Sequence, residues 1–270
     1  MSADTTPLAR LYDFMRVMSQ KERLELARWI AEKPELFNEW SRRSLKFYGD
    51  HFSNADEPFH PPRELPPADS VTAISRGYDL AVVLADQPRG RWWEVEDAPE
   101  LRFRFVDYEL PPTRKTAQAR LPGEAASGPG MRADLLLVGE DGVPIVGEVK
   151  SATAKNYDTD PVLALVQGLT ACAQLLSPQQ MERLENAYPF AQFRTECVLD
   201  LFIFIVKPEQ AARATHQQNL YEVAKTLAPV LAAERSVPAR RIAFIEARWN
   251  GRLDLQLAAL GADLENTFFD

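Results

Sequence analysis

Two cysteines, Cys172 and Cys197, are all that the 270 residues contain. That excludes a disulfide scaffold and any multi-cysteine zinc site, and a reducing, cytoplasmic setting is the expectation. Histidine is also scarce, and His51, His60 and His216 show no ligand spacing. No apolar run is long enough to span a bilayer; the longest, Val198 to Val206, contains Asp200. The first residues, Met1 to Thr6, have neither a basic start nor an apolar stretch, so no signal peptide is expected. Positive charge is in deficit, with 31 Lys and Arg against 39 Asp and Glu and a net charge of −8. This argues against a protein that coats nucleic acid by neutralising many phosphates, while leaving room for a local basic groove. The G-x-S-x-G elbow, the P-loop G-K-[ST] and the H-E-x-x-H helix are all missing.

What is present suits a folded chain. The hydrophobic share is 46%, enough for a sizeable core in one large or two small domains. Residues 1–57 read as an N-terminal helical region. Within it Ser19 and Glu22 form a capping box, and Pro34 stops one helix and starts the next. This region is mildly basic, so it reads either as a helical subdomain packed on the rest or as a nucleic-acid-binding module. Prolines 58, 61, 62, 66 and 67 mark a linker over 58–70. Beyond it, 71–270 reads as an α/β or α+β domain with a mixed central sheet flanked by helices. Residues 71–86 are compatible with a helix or a strand pair. Leu101 to Leu110 alternates as a strand, and Thr113 to Gly130 reads as a loop. Asp160-Pro161 opens a helix to about Leu176, Val198 to Val206 is an apolar strand, and a long helix is expected over about Pro208 to Glu234. A hairpin is expected at Asn250-Gly251.

The segment that carries chemistry is the hairpin from Met131 to Lys150. With Glu140-Asp141-Gly142 as a three-residue loop and Gly142 in the left-handed position, Gly139 faces Val143 and Asp134 faces Glu148. Cross-strand neighbours on one face have Cβ atoms about 4.5–5.5 Å apart. Lys150, two residues beyond Glu148, shares that face. Two facing carboxylates repel, and a hard divalent cation held by oxygens removes the conflict. A lysine alongside can position or deprotonate a water, or stabilise developing phosphate charge. The plainer reading is that Lys150 simply pairs with Glu148 at a sheet end. A carboxylate acid/base pair of the glycosidase kind is a further alternative, although it needs no lysine.

The pattern D-(x)n-E-x-K across a hairpin, followed by a helix, resembles the PD-(D/E)xK nuclease superfamily, which includes restriction endonucleases and RecB-like nucleases. It covers about 130–206, with Ala133 where the motif often has proline. The resemblance implies a restriction-endonuclease-like sheet. It also implies Asp134 and Glu148 as metal ligands with the Val149 carbonyl as a third, Lys150 as the catalytic lysine, and Mg²⁺ or Mn²⁺ as cofactor. Nucleic acid, with DNA favoured, is then the expected partner, in restriction, repair or defence; a homodimer or protein partner stays open. Some members carry a glutamine in the next helix and a tyrosine four residues later. Gln167 matches the first, whereas Ala171 stands at the second. Gln167, Thr170 and Gln174 form a polar stripe that either reaches the site or is the helix's solvent face. Glu109 and Glu124 are alternative upstream acidic residues, and Arg114, Lys115, Arg120, Arg132 and Lys155 are candidates for a phosphate-binding groove. A non-catalytic interaction module with the same fold is the rival reading.

Overall fold

A computed structural model describes residues 6–52, 59, 64–72, 74, 77–86, 91–96, 98–112, 132–151, 160–194, 196–208, 222–228, 238–249 and 255–259. Three helices come first: α1 Pro7–Val17, α2 Gln20–Glu32 and α3 Pro34–Phe52. The α2 start is the expected capping box, with the Ser19 side chain accepting from Glu22 N–H and the Glu22 carboxylate accepting from Ser19 N–H. Next come α4 Gly77–Ala85 and the strands β1 Phe103–Leu110, β2 Ala133–Gly139 and β3 Pro144–Ser151. The helices α5 Pro161–Leu175 and α6 Pro178–Ala187 precede β4 Asp200–Pro208. A helical stretch, α7, covers 222–228, and β5 Arg241–Trp249 and β6 Leu255–Ala259 complete the sheet.

Among the described residues the six strands of the sheet lie in sequence order. β1, β2 and β3 form an antiparallel meander, β3, β4 and β5 run parallel, and β6 returns antiparallel on the edge. The chain is therefore an α+β protein with a mixed sheet flanked by helices. Alternation along each strand builds two cores. Leu201, Ile203, Ile205, Ile242 and Phe244 face α1, α2, α5, α6 and α7. Phe202, Phe204, Ala243, Ile245 and Ala247 face α4 and the segment around Trp93.

The β2–β3 turn is as read from sequence. Gly142 has φ +78°, Gly139 N–H donates to Val143 O, and Leu135 faces Gly147 while Val138 faces Pro144. Within segment 71–86 the helix α4 covers Gly77–Ala85; its run Leu80 to Leu84 is buried on every side, which erases the periodicity that separates helix from strand. Helix α6 is additional to the expected elements, and Ser177-Pro178 starts it with the same signal as Asp160-Pro161 gives α5. The long helix expected from Pro208 is corrected at its start: β4 runs on to Pro208 because it pairs with β5 as far as Trp249. Among the described residues only 222–228 of that span is helical. The last hairpin exists, but Trp249 faces Leu255, so its strands are joined by 250–254 rather than by a two-residue Asn250-Gly251 turn. The loop expected over Thr113 to Gly130 lies outside the described residues.

Helices α1–α3 share the larger core. Leu8, Leu11, Met15, Leu24, Ala27, Ile30 and Phe37 are buried against α5 and the sheet. A buried ion pair, Arg23 to Asp160 at 3.1 Å, ties α2 to the residue that caps α5. Among the described residues no single helix is long and apolar enough to cross a membrane.

Candidate active site

β3 is apolar except at its end. Ile145, Val146 and Val149 are buried, and alternation places Glu148 and Lys150 with Val146 on the α5 side of the sheet. Asp134, near the start of β2, shares that face with Leu136 and Val138. The three residues therefore converge, as the hairpin register requires, where the parallel strands end.

Their contacts are specific. Lys150 Nζ donates to Glu148 Oε1 at 2.7 Å and to Gln167 Oε1 at 3.1 Å. An ammonium carries only donors, so the amide oxygen of Gln167 must face it. Val149 N–H donates to Asp134 Oδ2 at 2.8 Å. Gln167 is thus at the site rather than on a solvent face. The rest of the polar stripe is enclosed by α1–α3: Thr170 donates to Val166 O and Gln174 donates to the Tyr48 hydroxyl. Ala171 is fully buried in the core on that side.

Burial is the feature that sequence did not announce. Glu148 is 0% exposed and Lys150 7%, whereas charged residues are rarely buried unless paired. Burial, with the Asp134 charge beside it, pushes the Glu148 carboxyl well above its ordinary range, against the pull of Lys150. Burial also raises Asp134, opposed by Lys150 and the Val149 N–H. For Lys150, burial works against the charge, but the Glu148 and Asp134 carboxylates outweigh it and keep the amine protonated. In this arrangement Lys150 is a fixed positive charge and not a base.

Among the described residues Glu148 Oε2 is buried with no hydrogen-bond donor, and the Glu148 carboxyl meets the Asp134 carboxyl beside it. An unpaired carboxylate oxygen in a dry site is costly. Asp134 and Glu148 form an oxygen-only donor pair of the kind that Mg²⁺ or Mn²⁺ accepts, with waters and phosphate oxygens completing the shell. Among the described residues no group of three or more His, Cys, Asp or Glu side chains is placed to hold a metal ion. The protein's side-chain share would be those two carboxylates.

Two neighbours shape Asp134. Gly77, the first residue of α4, lies so close that a β-carbon there would fall 2.8 Å from Asp134 Cβ. Glu109 lies between Tyr108 and Leu110, which pair with Leu135 and Ala133, so it stands opposite Asp134 and its charge raises the Asp134 pKa further. Its backbone is left-handed, at φ 46°, and its carboxylate meets Arg132 at 3.3 Å. Glu124, Arg114, Lys115, Arg120 and Lys155 lie outside the described residues. A second acid–base pair occupies the same face two strands away: Ile205 of β4 pairs with both Lys150 and Glu246, and Arg248 contacts Glu246 at 2.6 Å. Gly77 and Glu246 carried no sequence signal, because only the packing of α4 and the order of the strands bring them near.

The chain matches no protein-family model, no curated protein and no solved structure.

Proposed function

We propose that this chain is a metal-dependent nuclease of the PD-(D/E)xK type that hydrolyses phosphodiester bonds, with DNA as the substrate class and a cytoplasmic setting. The observation that carries this reading is the convergence of Asp134, Glu148 and Lys150 on one face, with no donor to Glu148 Oε2 among the described residues. Mg²⁺ or Mn²⁺ on the two carboxylates would supply Lewis acidity at a phosphate oxygen. The Lys150 ammonium stabilises charge that develops on the phosphoryl oxygens, and Gln167 holds that ammonium in place. In the overall reaction a water oxygen bonds to phosphorus and the bond from phosphorus to the leaving sugar oxygen breaks. One water proton ends on that oxygen and the other goes to solvent.

The test is cleavage of labelled single- and double-stranded DNA and RNA with Mg²⁺, Mn²⁺ or chelator. Divalent-dependent cutting that Asp134→Asn abolishes supports the reading. No cutting of any strand under these conditions favours a non-catalytic module, for which the internally compensated Glu148–Lys150 pair would be sufficient.

A further inference from the structure

The charged residues at this end of the sheet differ in depth, and the gradient has a direction. Glu148 is 0% exposed and Lys150 7%. Asp134, one strand over, is half-buried, and beyond it the Arg132 and Glu109 side chains are 49% and 41% exposed. On the opposite flank Gln167 of α5 lies against Lys150. Solvent therefore meets the cluster from the β1–β2 side, at Asp134.

That rim is built rather than incidental. Arg132 stands two residues before Asp134, so strand alternation carries it onto the same face, about 6.6 Å further out. Its Nη1 donates to Glu109 Oε2 at 3.3 Å, and among the described residues its Nε and Nη2 make no hydrogen bond. Glu109 stands opposite Asp134 in the β1–β2 register and acts on its charge, so the carboxylate that braces Arg132 belongs to the same cluster. Glu109 has φ 46°, a left-handed backbone that non-glycine residues rarely adopt and that concentrates at functional sites. Gly77 of α4 packs on the Asp134 side chain from the remaining side. When ionised, Asp134, Glu148 and Glu109 outnumber Lys150 and Arg132. A divalent cation on the carboxylates reverses that balance and makes the rim attractive to an anion.

We infer that DNA reaches the carboxylate pair over the β1–β2 side, where Arg132 binds a backbone phosphate next to the one that meets Lys150. This rests on the nuclease reading and deepens it by naming the entry side and the residue that holds the strand there. With Nη1 held by Glu109, the guanidinium presents Nε and Nη2 to two oxygens of that phosphate, the bidentate contact for which its planar fork is suited.

The test uses the full chain and fluorescence anisotropy with labelled single-stranded and duplex DNA, in Ca²⁺ and across a salt series. Cleavage in Mn²⁺ is measured in parallel. Arg132 is exposed and precedes β2, so its replacement leaves the core intact. Arg132→Ala should weaken binding about tenfold, equivalent to about 1.4 kcal/mol. It should also reduce the salt slope by about one, which loss of a purely structural ion pair with Glu109 would not do. Arg132→Lys keeps the charge and loses the fork, so it should retain the slope while binding more weakly than the wild type. Wild-type affinity and slope in Arg132→Ala, or a slope lost equally in Arg132→Lys, would overturn the inference and leave the nuclease reading intact. Weakened binding by Arg132→Ala, but with no divalent-dependent cleavage by the wild type, would support the phosphate contact and overturn the nuclease reading. A wild type that binds neither strand form would overturn both.

Discussion

Lys150→Met tests the buried ion pair before any substrate is known. Glu148 is 0% exposed; one of its oxygens accepts from Lys150 Nζ at 2.7 Å, and among the described residues the other has no donor, with the Asp134 carboxyl beside it. Methionine keeps the length of the side chain and removes the charge, which leaves a buried carboxylate with nothing to compensate it. Breaking such a pair costs about 3–5 kcal/mol, and at about 2–4 °C per kcal/mol for a chain of this class the melting temperature should fall by on the order of 10 °C. The penalty has a pH signature. The folded-state pKa of Glu148 lies above its ordinary 4.5, and removing Lys150 takes away a cause that lowers it. A carboxyl with a raised folded pKa is neutral and cheap to bury below its ordinary pKa, and it loses that stability as pH rises through the folded value. The deficit of Lys150→Met should therefore be largest at neutral pH and shrink toward pH 4.5. Thermal melts of both proteins between those limits provide the assay. A variant that melts with the wild type at neutral pH would refute the account of a charged, dry pair.

Two further outcomes follow from the same geometry. Gly77→Ala should push Asp134 off the Val149 N–H, costing about 1–3 kcal/mol by overpacking and weakening any divalent-induced rise in melting temperature; wild-type behaviour in both measurements would contradict the close approach. Native protein should react with a thiol reagent at exposed Cys197 while buried Cys172, whose thiol burial pushes far up, reacts only after unfolding; two fast thiols in native buffer would refute the packing of α5.

Much of the site was legible because its logic is local. A three-residue turn with glycine at its left-handed position fixes the β2–β3 register, and a two-residue period then places Asp134, Glu148 and Lys150 on one face. Asp160-Pro161 likewise starts α5 where expected. Gln167 was undecidable from sequence, since a polar stripe on an apolar helix has the same spacing whether it meets solvent or other helices. Here α1–α3 cover it, and Gln167, Thr170 and Gln174 each make a hydrogen bond inside, while Gln174 Oε1 is buried without one among the described residues. Gly77 was not legible, because its nearness to Asp134 depends on how α4 packs against a sheet built much later in the chain. The depth of Glu148 and Lys150 was hidden for a related reason: strand alternation gives a face, while only the covering helices decide whether that face is wet.

The account stands or falls on whether Asp134 and Glu148 hold a divalent cation, and Mn²⁺ titration followed by electron paramagnetic resonance measures that directly. The wild type should bind Mn²⁺ with a stoichiometry near one per chain, and Mg²⁺ should displace it. Asp134→Asn should abolish the binding while remaining folded, because an amide at that half-buried position can still accept from Val149 N–H. Equal Mn²⁺ binding by wild type and Asp134→Asn, or none by either at millimolar metal, would contradict it.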